Sequence, residues 1–80
     1  MNQYTLTKTI EEAGEVVQAA CKLKLHKDAK RLDAFVGELA DLQTFIRICV
    51  ARLPAAQQAR FVQHTKRRMK RELKKGKING

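Results

Sequence analysis

Apolar residues recur at helical spacing in three long runs of this chain. In the first run, Leu6, Ile10, Ala13, Val17, Ala20 and Cys21 form one stripe, with Val16, Ala19 and Leu23 forming a second beside it. The pattern predicts a helix from Leu6 or Thr7 to Leu25, with Thr5 or Thr7 as its N-cap. The polar arc left over is narrow: Lys8, Glu11, Glu15, Gln18 and Lys22. A helix this apolar needs cover on more than one side, which a single partner helix does not supply. The second run, Leu32, Phe35, Val36, Leu39, Leu42, Ile46, Cys49, Val50 and Leu53, has the cleanest period of 3.6 and predicts a helix from Ala29 to Leu53. Between them, Lys24 to Asp28 reads as a turn, with Asp28 as N-cap of the second helix. The third run (Ala55, Ala59, Val62, Met69, Leu73) is sparser and predicts a more exposed helix from Ala55 to about Lys74. Pro54 opens it as the first helical residue and Gly76 stops it. The expected fold is all-α: an antiparallel helical hairpin plus a third, basic helix, completed into a helical bundle by oligomerisation. Residues 1–75 form a single domain and 76–80 a flexible basic tail.

Size strengthens the expectation of oligomerisation. Eighty residues lie near the length at which a lone core is marginal. No apolar run reaches membrane-spanning length, and the N-terminus lacks a basic start followed by an apolar stretch, so neither membrane insertion nor a signal peptide is expected. Cys21 and Cys49 both fall at apolar helical positions and read as buried free thiols of a cytoplasmic protein. His26, alone in a basic turn, reads as solvated. Gly14 costs roughly 1 kcal/mol in a helix interior and predicts close helix approach or space kept for a ligand.

The net charge of +9 is unevenly placed. Residues 66–80 carry eight Lys/Arg against one Glu, whereas residues 1–65 carry nine against seven. The basic segment Lys66–Lys77 is either a solvated surface or a contact for the phosphates of a nucleotide or nucleic acid.

The acids change the picture most. Glu12 and Glu15 form a pair three residues apart on the first helix, and Glu38 and Asp41 another on the second. If residues 26 and 27 form the hairpin tip, Glu15 and Glu38 are equidistant from it, and so are Glu12 and Asp41. All four carboxylates then lie at one height. Such a cluster repels itself unless a cation sits within it, and an all-oxygen site suits Mg²⁺, with Mn²⁺ able to substitute. The same counting about residue 54 sets Lys66, Arg67, Lys70 and Arg71 level with the acids if the third helix folds back on the second. Metal and cations together match what a polyphosphate needs. Tyr4, Phe35 and Phe45 are candidates to line a base pocket, although core packing is the simpler role for the two phenylalanines.

The motif Glu11-Glu12-x-x-Glu15 followed by Glu38-x-x-Asp41, on two helices joined by a short basic turn, resembles the MazG-like all-α nucleoside triphosphate pyrophosphohydrolase superfamily. The wording Glu-Glu-Ala-Gly-Glu-Val-Val-Gln-Ala-Ala-Cys-Lys and Glu-Leu-Ala-Asp-Leu resembles its short, phage-type members, and the likeness covers about residues 8–50. The resemblance implies that Glu12, Glu15, Glu38 and Asp41 ligate Mg²⁺; Glu11 beside them is either a general base or a surface residue. The resemblance also implies water attack between the α- and β-phosphates of a nucleotide substrate, giving the monophosphate and pyrophosphate. It implies a helical bundle completed by a second subunit, a homodimer or homotetramer, but does not assign Lys66, Arg67, Lys70 and Arg71, whose place as candidate phosphate ligands rests on the register counting alone. Gly37 departs from the pattern, since relatives commonly carry another Glu there. The alternative expectation is a MazG-like helical module, weak or inactive as an enzyme, that binds nucleic acid or a protein partner through its basic C-terminal helix.

Overall fold

A computed structural model describes residues 1–77, which form three α-helices and, among the described residues, no strand. They are α1 (Gln3–Leu25), α2 (Ala29–Ala51) and α3 (Ala55–Lys75). Of the expected tail 76–80, residues 78–80 lie outside the described residues.

Helix α1 starts earlier than the threonines suggested. Asn2 is its N-cap, its Oδ1 accepting from the Thr5 amide at 2.9 Å and the Thr5 hydroxyl at 2.8 Å. Asn caps as well as Thr because its side-chain oxygen satisfies an amide left orphaned in the first turn. Asp28 caps α2 as expected, accepting from the Arg31 amide at 2.8 Å. Pro54 sits one position outside α3 and Gly76 closes that helix in the left-handed region, at φ 65°. Helix α2 ends two residues short of the expected Leu53, with Arg52 as its C-cap.

Helices α1 and α2 pack closely as an antiparallel pair, and the faces that meet differ from the strongest apolar stripes. The seam on α1 runs through Thr5, Thr9, Glu12, Val16, Ala19 and Leu23; on α2 it runs through Arg31, Phe35, Glu38, Leu42, Phe45 and Cys49. Both follow the alternating four-three spacing of a coiled-coil seam. Ala19 is small enough to let the backbones close in and is buried. Phe35 and Phe45 serve as core residues here, both half-buried.

The second α1 stripe (Val16, Ala19, Leu23) and part of the α2 stripe (Phe35, Leu42, Cys49) enter this seam as expected, whereas the rest of the expected core lies beside it. Leu6, Ile10 and Val17 of α1 are exposed on the same side of the hairpin as Leu32, Val36, Leu39 and Ile46 of α2. Cys21, expected to be buried, is exposed as well, while Cys49 is half-buried with its Sγ 3.4 Å from the Thr9 hydroxyl. Gly14 has open space around it, so neither close helix approach nor a contact explains it within one chain.

Helix α3 does not fold back along the hairpin. It meets α2 only over its opening turns and has no packing contact with α1. Phe61 rests beside Ile46, Arg47 and Val50, and Gln58 donates to the carbonyls of Leu53 at 3.0 Å and Ala51 at 3.3 Å. The Cα envelope measures 41 × 35 × 13 Å, so the molecule is a single layer of helices. Among the described residues, only Ala19 and Thr5 are buried.

Candidate metal centre

The hairpin has two unlike sides. The Leu6–Ile10–Val17 side is apolar. The opposite side carries Tyr4, Lys8, Glu11, Glu15, Gln18 and Lys22 from α1, facing Arg31, Ala34 and Asp41 from α2. The acids lie where this polar side meets the seam.

Glu12, Glu15 and Glu38 each bring a carboxylate oxygen within 4.8 Å of the other two. Glu12 and Glu38 hold seam positions, flanked along the chain by Thr9, Val16, Phe35 and Leu42, while Glu15 reaches in from the polar side. Oε2 of Glu12 and Oε2 of Glu38 are buried without a hydrogen-bond partner. Glu38 is held above the usual carboxylate range. The first cause is a proton shared with Glu15, followed by burial and by repulsion from Glu15, Asp41 and Glu12. When Glu38 and Glu15 are both ionised, neither can donate, and the orphaned oxygens face like charge.

The cluster suits a small divalent cation. Six oxygens around Mg²⁺ at about 2.1 Å lie roughly 3.0 Å apart when adjacent and 4.2 Å when opposite. The three carboxylate oxygens, within 4.8 Å of one another, lie close to that range. Mg²⁺ also keeps several waters, so three or four protein oxygens suffice.

Asp41 is exposed and outside the converging trio, although its charge acts on Glu38. Glu11 is exposed too; its Oε2 pairs with Lys8 Nζ at 3.3 Å, a contact that raises the Lys8 pKa. His26 is an exposed C-cap of α1, and Tyr4 is exposed. Lys66, Arg67, Lys70 and Arg71 are not beside the acids of their own chain, because α3 leaves the hairpin after its opening turns. The register that levels the basic segment with the acids therefore does not operate within one chain.

Two cations overlooked in the sequence do share the notch with Glu15 and Glu38. Lys22 and Arg31 line it, seven residues from Glu15 and Glu38 respectively, about 10 Å nearer the hairpin tip. The hairpin counting that aligned the acids also aligns this pair, since both are equidistant from residues 26 and 27. Arg31 is tethered to the Asp28 carboxylate, which fixes its direction.

A second polar group closes the open end of the hairpin. The Thr5 hydroxyl donates to Asn2 Oδ1 and accepts from Arg52 Nη1 at 2.7 Å, joining the start of α1 to the end of α2. Thr5 is only 2% exposed, so its end of this part-buried bond is shielded from water while Arg52 stays exposed. Comparison of the chain with protein-family models, curated proteins and solved structures gives no match.

Proposed function

We propose that the carboxylate cluster holds Mg²⁺ or Mn²⁺ and that the protein is a MazG-like nucleotide pyrophosphohydrolase, converting a nucleoside triphosphate or related nucleotide to the monophosphate and pyrophosphate. The observation that carries this reading is the pair of orphaned, buried oxygens on Glu12 and Glu38. Apolar side chains at those seam positions would pack the hairpin at least as well, since each half-buried carboxylate keeps one oxygen from water without a partner. Groups kept at such a cost mark functional sites.

Glu12, Glu15 and Glu38 would hold the ion, with Asp41 completing the set from the flank. Held there, the cation would polarise phosphate oxygens and neutralise charge that develops on them. Lys22 and Arg31 bind the outer phosphates from within the same chain. Lys66, Arg67, Lys70 and Arg71 reach such a substrate only from a second copy. Glu11 accepts the proton of the attacking water once Lys8 releases it. A homodimer or homotetramer fits this scheme, because the single-layer monomer leaves Leu6, Ile10, Val17, Leu32, Val36, Leu39 and Ile46 in water.

The test is a panel of nucleoside triphosphates incubated with Mg²⁺ and assayed for monophosphate and pyrophosphate, alongside melting curves with and without Mn²⁺. Saturation at one hundred times Kd stabilises by about 2.7 kcal/mol, or roughly 10–20 °C in a domain of this size. Glu38→Gln should lose both turnover and the Mn²⁺-dependent rise. No turnover together with unmoved melting curves would sink the reading.

A further inference from the structure

Helix α3 is built unlike the hairpin. Arg60, His64, Arg67, Arg71 and Lys74 follow one another at spacings of four and three, which stacks them in a stripe along one side of the helix; Lys70 widens it. All six are exposed. From Arg60 to Lys74 the stripe extends about 21 Å, far beyond the reach of one triphosphate. The helix has a single carboxylate, Glu72, on the opposite side, where it pairs with Arg68 at 2.9 Å and Lys75 at 3.1 Å. No carboxylate among the described residues forms an ion pair with the stripe. Like charges at i, i+4, as in Arg67–Arg71 and Lys70–Lys74, destabilise a helix unless something neutralises them.

We infer that α3 is an arm that seats in the major groove of duplex DNA and binds its phosphates without reading sequence, a role that does not use the acidic cluster. A helix of about 10–12 Å diameter fits a groove about 12 Å wide, and the basic arc of roughly 120° turns toward the flanking backbones. Three other partners fit less well. The major groove of A-form RNA is too narrow for a helix. Single strands need a run of stacking aromatics, and α3 offers only His64 within the stripe and Phe61 beside α2. An anionic membrane needs a broad apolar face, and that of α3 is thin: Val62, Met69 and Leu73, with Lys66 among them.

The test is fluorescence anisotropy of the full chain with a labelled 20-base-pair duplex of random sequence, titrated at several salt concentrations. Five Lys/Arg on phosphates give a slope of log K against log salt of about −4.5, or roughly 500-fold weaker binding from 50 to 200 mM salt. Arg67→Gln with Arg71→Gln should reduce the slope by about 1.8 and leave circular dichroism unchanged, because neither residue packs against the hairpin. Lys24→Gln with Lys27→Gln, at the hairpin tip, should change neither affinity nor slope. Glu38→Gln should bind DNA as wild type does, so failure of the metal reading and failure of this one are told apart. A slope shallower than about −2, equal losses in both Lys/Arg variants, or tighter binding to RNA duplex or to phosphatidylserine vesicles at the same salt overturns the inference.

Discussion

The open apolar side of the hairpin makes a quantitative claim about assembly. Ile10 is 73% exposed in the single chain. Complete burial of an isoleucine contributes about 3 kcal/mol at the upper end, so roughly 2 kcal/mol of that remains to be gained when a partner covers Ile10. In a two-fold dimer the residue occurs twice, so Ile10→Glu forfeits about 4 kcal/mol, or about three orders of magnitude in dimer Kd, before the cost of burying two carboxylates. In an isolated chain the same change falls within about ±0.5 kcal/mol, because the site is solvated and Glu is a better helix former than Ile. Tyr4→Glu is the matched control: Tyr4 is 67% exposed but lies on the polar side. Sedimentation equilibrium across a micromolar concentration series reads the difference. The wild type should be associated, Ile10→Glu dissociated, and Tyr4→Glu like the wild type. A folded 9.1 kDa monomer for the wild type, or equal behaviour of the two variants, refutes the argument.

Three further predictions concern the chain alone. Thr5→Val removes a buried acceptor of an Arg52 hydrogen bond and should cost about 1.5–3 kcal/mol, read as a lower urea midpoint at unchanged m. Because Glu38 titrates above its ordinary range in the folded state, the folded protein holds its proton longer than the unfolded chain does. Metal-free stability should therefore fall as pH rises through the window between the ordinary and the raised value, and Glu38→Gln should flatten that fall in pH-dependent melting. Asp28 behaves oppositely: its bond to the Arg31 amide lowers its pKa, so the stability it adds is present above the ordinary carboxylate value and lost as pH falls through the lowered one. Asp28→Asn keeps the cap and should remove that acid-side dependence.

Local rules were enough to locate the elements. The period of 3.6 placed three helices, Asp28 and Gly76 marked their boundaries, and the acid spacing about residues 26 and 27 brought Glu15 and Glu38 together. These features depend on backbone geometry and chain-local hydrogen bonds, so they are legible from neighbouring residues. Which face of each helix meets the other is a different matter. Helix α1 is apolar over more than one side and the stripe of α2 is broad, and only one arc of each can enter a two-helix seam; the seam through Ala19 allowed closer approach than the bulkier stripe through Ile10 and Val36. That choice put Glu12 and Glu38 inside, left Asp41 and Glu11 at the rim, and brought Lys22 and Arg31 to the notch. The path of α3 was likewise undecided by its sequence, since register counting assumes a helix that folds back. With few apolar residues on α3 beyond Phe61 to bury against the hairpin, the chain gains little by folding back, and like-charge repulsion along its basic stripe is smaller when that stripe faces water.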